Sequence, residues 1–217
     1  MTGDFRIEKD TMGEMQVPND AYWGASTQRA VENFPISGQK IGRSMIKALG
    51  MIKKAAAKTN CKLGLLDANL CDHIVSVCDE VIDGSLDKHF VVDIYQTGSG
   101  TSSNMNANEV IANRLKEQAL GAVKCHPNDH VNMSQSSNDV FPTAIHIACS
   151  VETSQLLLPA LKKLQTSLET KVKEFTGIVK TGRTHLQDAT PVQLSQEFGG
   201  YAAQIKFGIE RLERALP

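Results

Sequence analysis

Apolar positions recur every three or four residues over most of this chain, and the breaks between those stretches are short and polar. Ile41, Met45, Leu49, Ile52 and Ala56 share one helical stripe. Leu66, Leu70, Ile74, Val77 and Val81 share a second, which Asp83-Gly84 closes. A third helix is predicted from about Asn104 to Leu120, stopping at Gly121. The β-branched run Phe90-Val91-Val92-Asp93-Ile94-Tyr95 fits either a small strand or an extended link. Residues 1–35, punctuated by Gly13, Pro18, Gly24 and Pro35, read as irregular.

After Asn138-Asp139 the pattern lengthens. Ile147, Val151, Leu158, Leu161, Leu164, Leu168, Val172 and Phe175 predict a helix roughly 50 Å long, ended by Gly177. Pro142 falls in its first turn, where a missing N–H is harmless. Pro159 is internal and is expected to bend the helix. Beyond a polar loop at 182–191, Leu194, Phe198, Tyr201, Ile205, Ile209, Leu212 and Leu216 mark a last amphipathic helix. Two such stripes cannot bury each other alone, so further helices are expected, from a continuation of the chain or from other copies of it. The last helix stops at Leu216-Pro217 without a cap, which reads as a fragment of a bundle protein.

Composition narrows the class. Of 217 residues, 41% are hydrophobic and only 5% aromatic, which suits a soluble helical protein with an aliphatic core. The net charge of −1 is spread along the chain, so no long-range field favours nucleic acid or an anionic membrane. No apolar run approaches the roughly 18–20 residues a membrane span needs, and the charged N-terminus is unlike a signal segment. A cytoplasmic location is expected. The cysteines Cys61, Cys71, Cys78, Cys125 and Cys149 form no CxxC pair and read as reduced, mostly buried thiols. The histidines have no ligand spacing, and Gly98-x-Gly100 lacks the third glycine of a dinucleotide fingerprint, so neither a metal nor a cofactor is expected.

Three polar segments precede helical stretches and are crowded with hydroxyls, amides and histidine. They are Gly98-Ser99-Gly100-Thr101-Ser102-Ser103-Asn104, the run from His126 to Asp139, and Gly182-Arg183-Thr184-His185-Leu186-Gln187-Asp188. Helix N-termini present unpaired N–H groups and the positive end of the macrodipole, so three such segments suggest a site for small carboxylates. Taken alone, Ser99-Gly100-Thr101 and Ser136-Ser137-Asn138 are also ordinary helix-capping turns, and His126-Pro127-Asn128-Asp129 an ordinary Pro turn. His185 lies off any apolar stripe, and an imidazole of ordinary pKa exchanges protons near neutral pH, which makes it the catalytic candidate.

The stretches GSGTSSNMNANEVIANR, HPNDHVNMSQSSND and KTGRTHLQDATP resemble the class II fumarases of the fumarase/aspartase lyase superfamily, as does the opening FRIEKDTMGEMQVPNDAYWGASTQRAVENFPIS. The resemblance implies a mainly α, fumarase/aspartase-like fold. A small, mostly helical N-terminal domain (1–134) would be followed by the first long helices of a central bundle (135–217), in a homotetramer with active sites shared between subunits. It implies reversible hydration of fumarate to L-malate, with dicarboxylates as partners. Ser99, Gly100, Thr101, Ser136, Ser137, Asn138 and Thr184 would bind substrate, and His185 would handle the water. His126, Pro127, Asn128 and Asp129 would form a second dicarboxylate site, although Lys124 is the only cation in 121–125 just before it. The family's later Gly-Ser-Ser loop, which carries the serine that acts as carbon base, has no counterpart in these residues. Aspartate ammonia-lyase is the nearest rival, since it shares fold and carbanion chemistry. His185, where aspartases resemble GRTQLQDA, and His126 favour fumarase. An inert, split product serving as a helical assembly partner is the reading from another class.

Overall fold

The computed structural model describes residues 5–216. They form two compact units, one running up to Ala148 and the other from Cys149 onward.

The first unit opens with strands β1 (Phe5–Asp10) and β2 (Gly13–Pro18), paired antiparallel with Phe5 opposite Pro18 and Asp10 opposite Gly13. The expectation of an irregular N-terminus is corrected here. The hairpin escaped the sequence pattern because the half-buried face of β1 is polar (Arg6, Glu8 and Asp10), whereas Phe5 and Ile7 are exposed. Arg6 anchors that face: its guanidinium donates to the carbonyls of Pro18, Ala21 and Trp23 at 2.7–2.8 Å. Helix α1 (Ala25–Asn33) follows, and has no capping side chain of its own. The Glu109 carboxylate closes its first turn instead, accepting from the amides of Gly24, Ser26 and Thr27 at 2.8, 3.0 and 3.0 Å.

Helices α2 (Arg43–Lys62), α3 (Ala68–Asp83) and α4 (Thr101–Gln118) build the core with the start of α5 (Ser137–Glu152). The α3 stripe behaves as its spacing predicts: Leu70, Ile74, Val77 and Val81 are buried, and Gly84 ends the helix. Each such side chain contributes about 1.5–3 kcal/mol by leaving water. Residues 90–95 take the extended-link alternative, with a single bridge from Asp93 to Lys40. Helix α4 starts at Thr101, three residues before the expected Asn104, and buries a largely polar face (Ser102, Ser103, Asn104, Asn106, Asn108 and Glu109). This polar burial hid the first turn from an apolar-period reading.

The two compact units divide inside α5 at Ala148, and Val140, Ala144 and Ala148 pack into the first unit's core. At Pro159 the structure inserts a π-helical turn (Thr153–Leu157) just before α6 (Leu158–Glu174), with the proline in the first turn of α6. One helical stretch, Ser137–Glu174, is long and apolar enough to cross a membrane by length and composition, at mean hydropathy 1.2 in its most apolar window. A core helix meets the same criterion, and Val140 and Ala144 at its start are core residues.

In the second unit α6 packs against α7 (Leu194–Ala215), and between them strands β3 (Val179–Thr184) and β4 (Gln187–Gln193) form an antiparallel hairpin. The segment at 182–191 is therefore a β-hairpin and not the expected loop. Phe175 meets Phe198 edge-on at 5.0 Å, and Lys162 pairs with Glu213 at 2.7 Å. Leu164 and Tyr201 of the two predicted stripes remain 45% and 44% exposed, and Phe207 off the stripe is 54% exposed, so the two helices leave apolar surface uncovered within this unit.

Candidate active site

The candidate residues of the first unit lie at two helix N-termini. Gly100 is the N-cap of α4, at φ 69, where a side chain is strained. A Cβ on it would lie 2.3 Å from the Phe141 ring, so the turn fits against α5 only with glycine here. Ser99 and Thr101 flank it with their hydroxyls 2.8 Å apart, Ser99 exposed and Thr101 half-buried. Gln96 braces the turn by donating to Ser103 Oγ at 2.6 Å and accepting from Ser103 N at 2.8 Å. Asp93, just upstream, accepts from the amides of Tyr95, Ser37 and Gly38, which hold its carboxyl at about 2.

The second N-terminus is that of α5. Ser136 Oγ accepts from the Asn138 amide at 3.2 Å, while Ser136 and Asn138 are exposed and Ser137 is half-buried. The two termini are tied together through Asn104, whose Nδ2 donates to Ser137 Oγ at 2.8 Å and to Asn132 Oδ1 at 3.1 Å. The structure thus brings Ser99, Gly100, Thr101, Ser136, Ser137 and Asn138 to one pair of adjoining helix ends. Hydroxyls, a side-chain amide and the positive ends of two helix dipoles suit a carboxylate.

His126 caps the π-helical turn Pro127–Val131, and its Nδ1 accepts from the Asp129 amide at 3.2 Å. The Asp129 carboxylate lies 3.1 Å from the same nitrogen. His126, Pro127 and Asn128 line a groove of about 590 Å³ together with Lys9 and with Glu8, Asp10 and Glu109. Arg29 neutralises Asp10 at 2.8 Å, and Glu109 is occupied by the α1 amides.

In the second unit Thr184 and His185 occupy the end of the β3–β4 hairpin, both exposed. Thr184 pairs with Gln187, and the two residues between them, His185 and Leu186, have φ 50 and 61. Positive φ at both central positions is the arrangement of a two-residue hairpin turn that ordinarily takes Asn or Gly. A histidine there is held in a sparsely populated backbone region, which is common where chemistry fixes the residue. Gly182 lets the two strands close, since a Cβ on it would meet the Thr190 carbonyl oxygen at 2.6 Å.

A family profile described as lyase matches residues 13–217. The chain belongs to this lyase family. The chain is 58% identical over 220 residues to the class II fumarate hydratase of Halobacterium salinarum, a match that takes in 100% of this chain and 47% of that protein. The mitochondrial fumarate hydratase of Schizosaccharomyces pombe is 54% identical over 221 residues, covering 99% and 42% respectively. Among solved structures, a fumarate lyase:delta crystallin from Brucella melitensis aligns at TM-score 0.89 and 48% identity, over 97% of this chain and 50% of the other. The class II fumarase of Schistosoma mansoni aligns at 0.90 and 42%, over 95% and 44%. The mainly helical, fumarase-like fold expected from the sequence is therefore the fold this chain has. The chain spans about half the length of the curated relatives it matches.

Several groups that build the paired helix ends were given no role from sequence. Asn104, Asn132 and Gln135 lay inside the polar segments without a role of their own, and Phe141 was not singled out. Lys53 carried a usable signal: it falls on the buried stripe of α2 between Leu49 and Ala57, where an unpaired lysine is out of place.

Proposed function

We propose that the protein is a fumarate hydratase that interconverts fumarate and L-malate in the tricarboxylic acid cycle of the cytoplasm. It would act as a homotetramer whose active sites are shared between subunits. The observation that carries this reading is the pair of adjoining N-termini, Ser99–Thr101 on α4 and 136–138 on α5, in a chain whose relatives named above are fumarate hydratases.

Removing a proton from the carbon beside a carboxylate of malate drives charge onto that carboxylate, as an aci-carboxylate. Donors fixed where the charge accumulates lower the barrier. The hydroxyls of Ser99, Thr101, Ser136 and Ser137, the Asn138 amide and the N–H groups around Gly100 serve this purpose, and none needs to reorganise during the reaction. Thr184 contributes a further hydroxyl. His185 exchanges a proton with the water that is added or expelled at the neighbouring carbon. The base that takes the carbon-bound proton is supplied from outside these 217 residues, in keeping with a division into a domain at 1–134 and the first bundle helices at 135–217. His126, Pro127, Asn128 and Asp129 form a second dicarboxylate position, for which their exposure beside a groove holding Lys9 is the support. Neither cofactor nor metal takes part, and no partner is a nucleic acid or a membrane.

The test is an assay of the full-length purified protein with fumarate, L-malate and L-aspartate side by side. Loss of the fumarate double bond's ultraviolet absorbance with formation of L-malate is expected. Release of ammonia from L-aspartate would move the protein to the aspartase branch, and a folded protein inert to all three would favour an assembly partner.

A further inference from the structure

Lys53 is fully buried on the core stripe of α2, among side chains that are otherwise apolar. Among the described residues no carboxylate pairs with it. Its Nζ donates to two amide oxygens, Asn132 Oδ1 at 2.9 Å and Gln135 Oε1 at 3.0 Å. Cys78 on α3, the thiol whose charge would act on it, is itself pushed up to about 12 by burial and is a neutral thiol at neutral pH. Burial draws the amine down to about 7. A methionine would fill this stripe position without that desolvation cost, so core packing gives no reason for an amine here.

The reason lies in what the amine holds. Asn132 Oδ1 is shared between Lys53 and Asn104, and Asn104 in turn donates to Ser137 Oγ. Asn132 Nδ2 donates to the Gln135 carbonyl at 3.1 Å, and Gln135 Nε2 donates to the carbonyls of Val131 and Met133 at 3.0 and 3.1 Å. Every hydrogen bond in this set ends on the segment 131–137, in which Ser134 sits at φ 60, a strained conformation for a residue with a side chain. The path from Lys53 to a substrate-facing hydroxyl is three hydrogen bonds long. It also couples the two helix ends, because Asn104 belongs to α4.

We infer that Lys53 is a positioning residue: through Asn132 and Asn104 it fixes the segment leading to Ser136, Ser137 and Asn138 in the geometry that receives the substrate carboxylate. The substrate rests on the function proposed above, whereas the positioning role does not. A neutral amine keeps two N–H groups, enough for both amide oxygens, so the clamp persists on either side of the amine's titration.

The test uses the full-length protein with Lys53→Met, Asn132→Leu and the double variant. It reads the KM and kcat for fumarate and the hydrogen exchange of backbone amides 132–138. Each single variant should raise KM about tenfold with kcat changed less than about threefold, the pattern of lost carboxylate binding. Exchange should quicken in 132–138 while α3 keeps its protection. The double variant should be no worse than the worse single one, because both act through one path. A folded Lys53→Met protein with unchanged KM and unchanged exchange overturns the inference, as do effects that multiply in the double variant. If Lys53→Met fails to fold, Asn132→Leu breaks the same path from its other end, and unchanged exchange there is equally fatal. If the wild-type protein does not turn over fumarate, the functional reading falls, while the exchange data still decide whether Lys53 holds the segment.

Discussion

Gly100→Ala probes the junction of the two helix ends directly. At φ 69 an alanine is strained by about 1–2 kcal/mol. Its methyl would also arrive 2.3, 2.4 and 2.5 Å from Cγ, Cδ1 and Cδ2 of Phe141, against an ordinary carbon contact of about 3.5–4 Å. The ring must withdraw by more than about 1 Å, an overpacking that costs about 1–3 kcal/mol. The two effects together predict a loss of about 3 kcal/mol. Urea unfolding should show a lower midpoint with an unchanged slope. Gly98→Ala is the internal control, since no atom lies within 4 Å of the added Cβ and no left-handed φ is required, so it should stay within about 0.5 kcal/mol of wild type. A second substitution, Phe141→Leu, should return part of the steric loss in Gly100→Ala but not the backbone strain. If Gly100→Ala were as neutral as Gly98→Ala, α5 would not press on the Ser99–Thr101 turn, and the paired-terminus site would lose its structural basis.

Three further outcomes follow from the same structure. His185→Asn should lower fumarate turnover about 100-fold or more while leaving stability unchanged or raised by about 0.5 kcal/mol, because Asn suits the positive-φ turn better; near-wild-type rates would remove the catalytic assignment. Glu109→Ala strips the α1 amides of Gly24, Ser26 and Thr27 of their acceptor and should cost about 3 kcal/mol, read by thermal or urea unfolding. His89 is held at about 4 in the fold by burial, against about 6.5 in an unfolded chain. Its contribution is therefore fully present above pH 6.5 and declines as pH falls toward 4, by about 3 kcal/mol in all. His89→Gln, whose amide oxygen can take the Tyr22 N–H, should flatten that slope, and a ring that titrates near 6.5 by NMR would contradict the buried neutral state.

The apolar stripe of α3 was legible because its buried face is aliphatic and regularly spaced. Those of α2 and α7 were legible as helices but not as faces, since α2 buries Lys53 and Asn60 beside Leu49, and of the α7 stripe only Ile209 is buried. The β1–β2 hairpin was not, since Arg6 and Glu8 point inward while Phe5 and Ile7 face solvent, the reverse of the pattern a strand normally shows. The β3–β4 hairpin hid for a related reason: Gly182, Pro191 and the polar residues between them mimic a loop, and the turn is made by His185-Leu186 in place of Asn-Gly. At the candidate site the exposed hydroxyls announced themselves as a polar cluster before a helix. The parts that hold them in place, Asn104, Asn132, Gln135 and Lys53, lie far apart in sequence and meet only through tertiary packing. Spacing carries no signal for such contacts.

The most direct measurement is a crystal structure of the full-length protein with L-malate bound. The account predicts a malate carboxylate at the adjoining ends of α4 and α5, within hydrogen-bond reach of Thr101, Ser137 or Asn138. A malate seated elsewhere, with those helix ends holding only water, would contradict it.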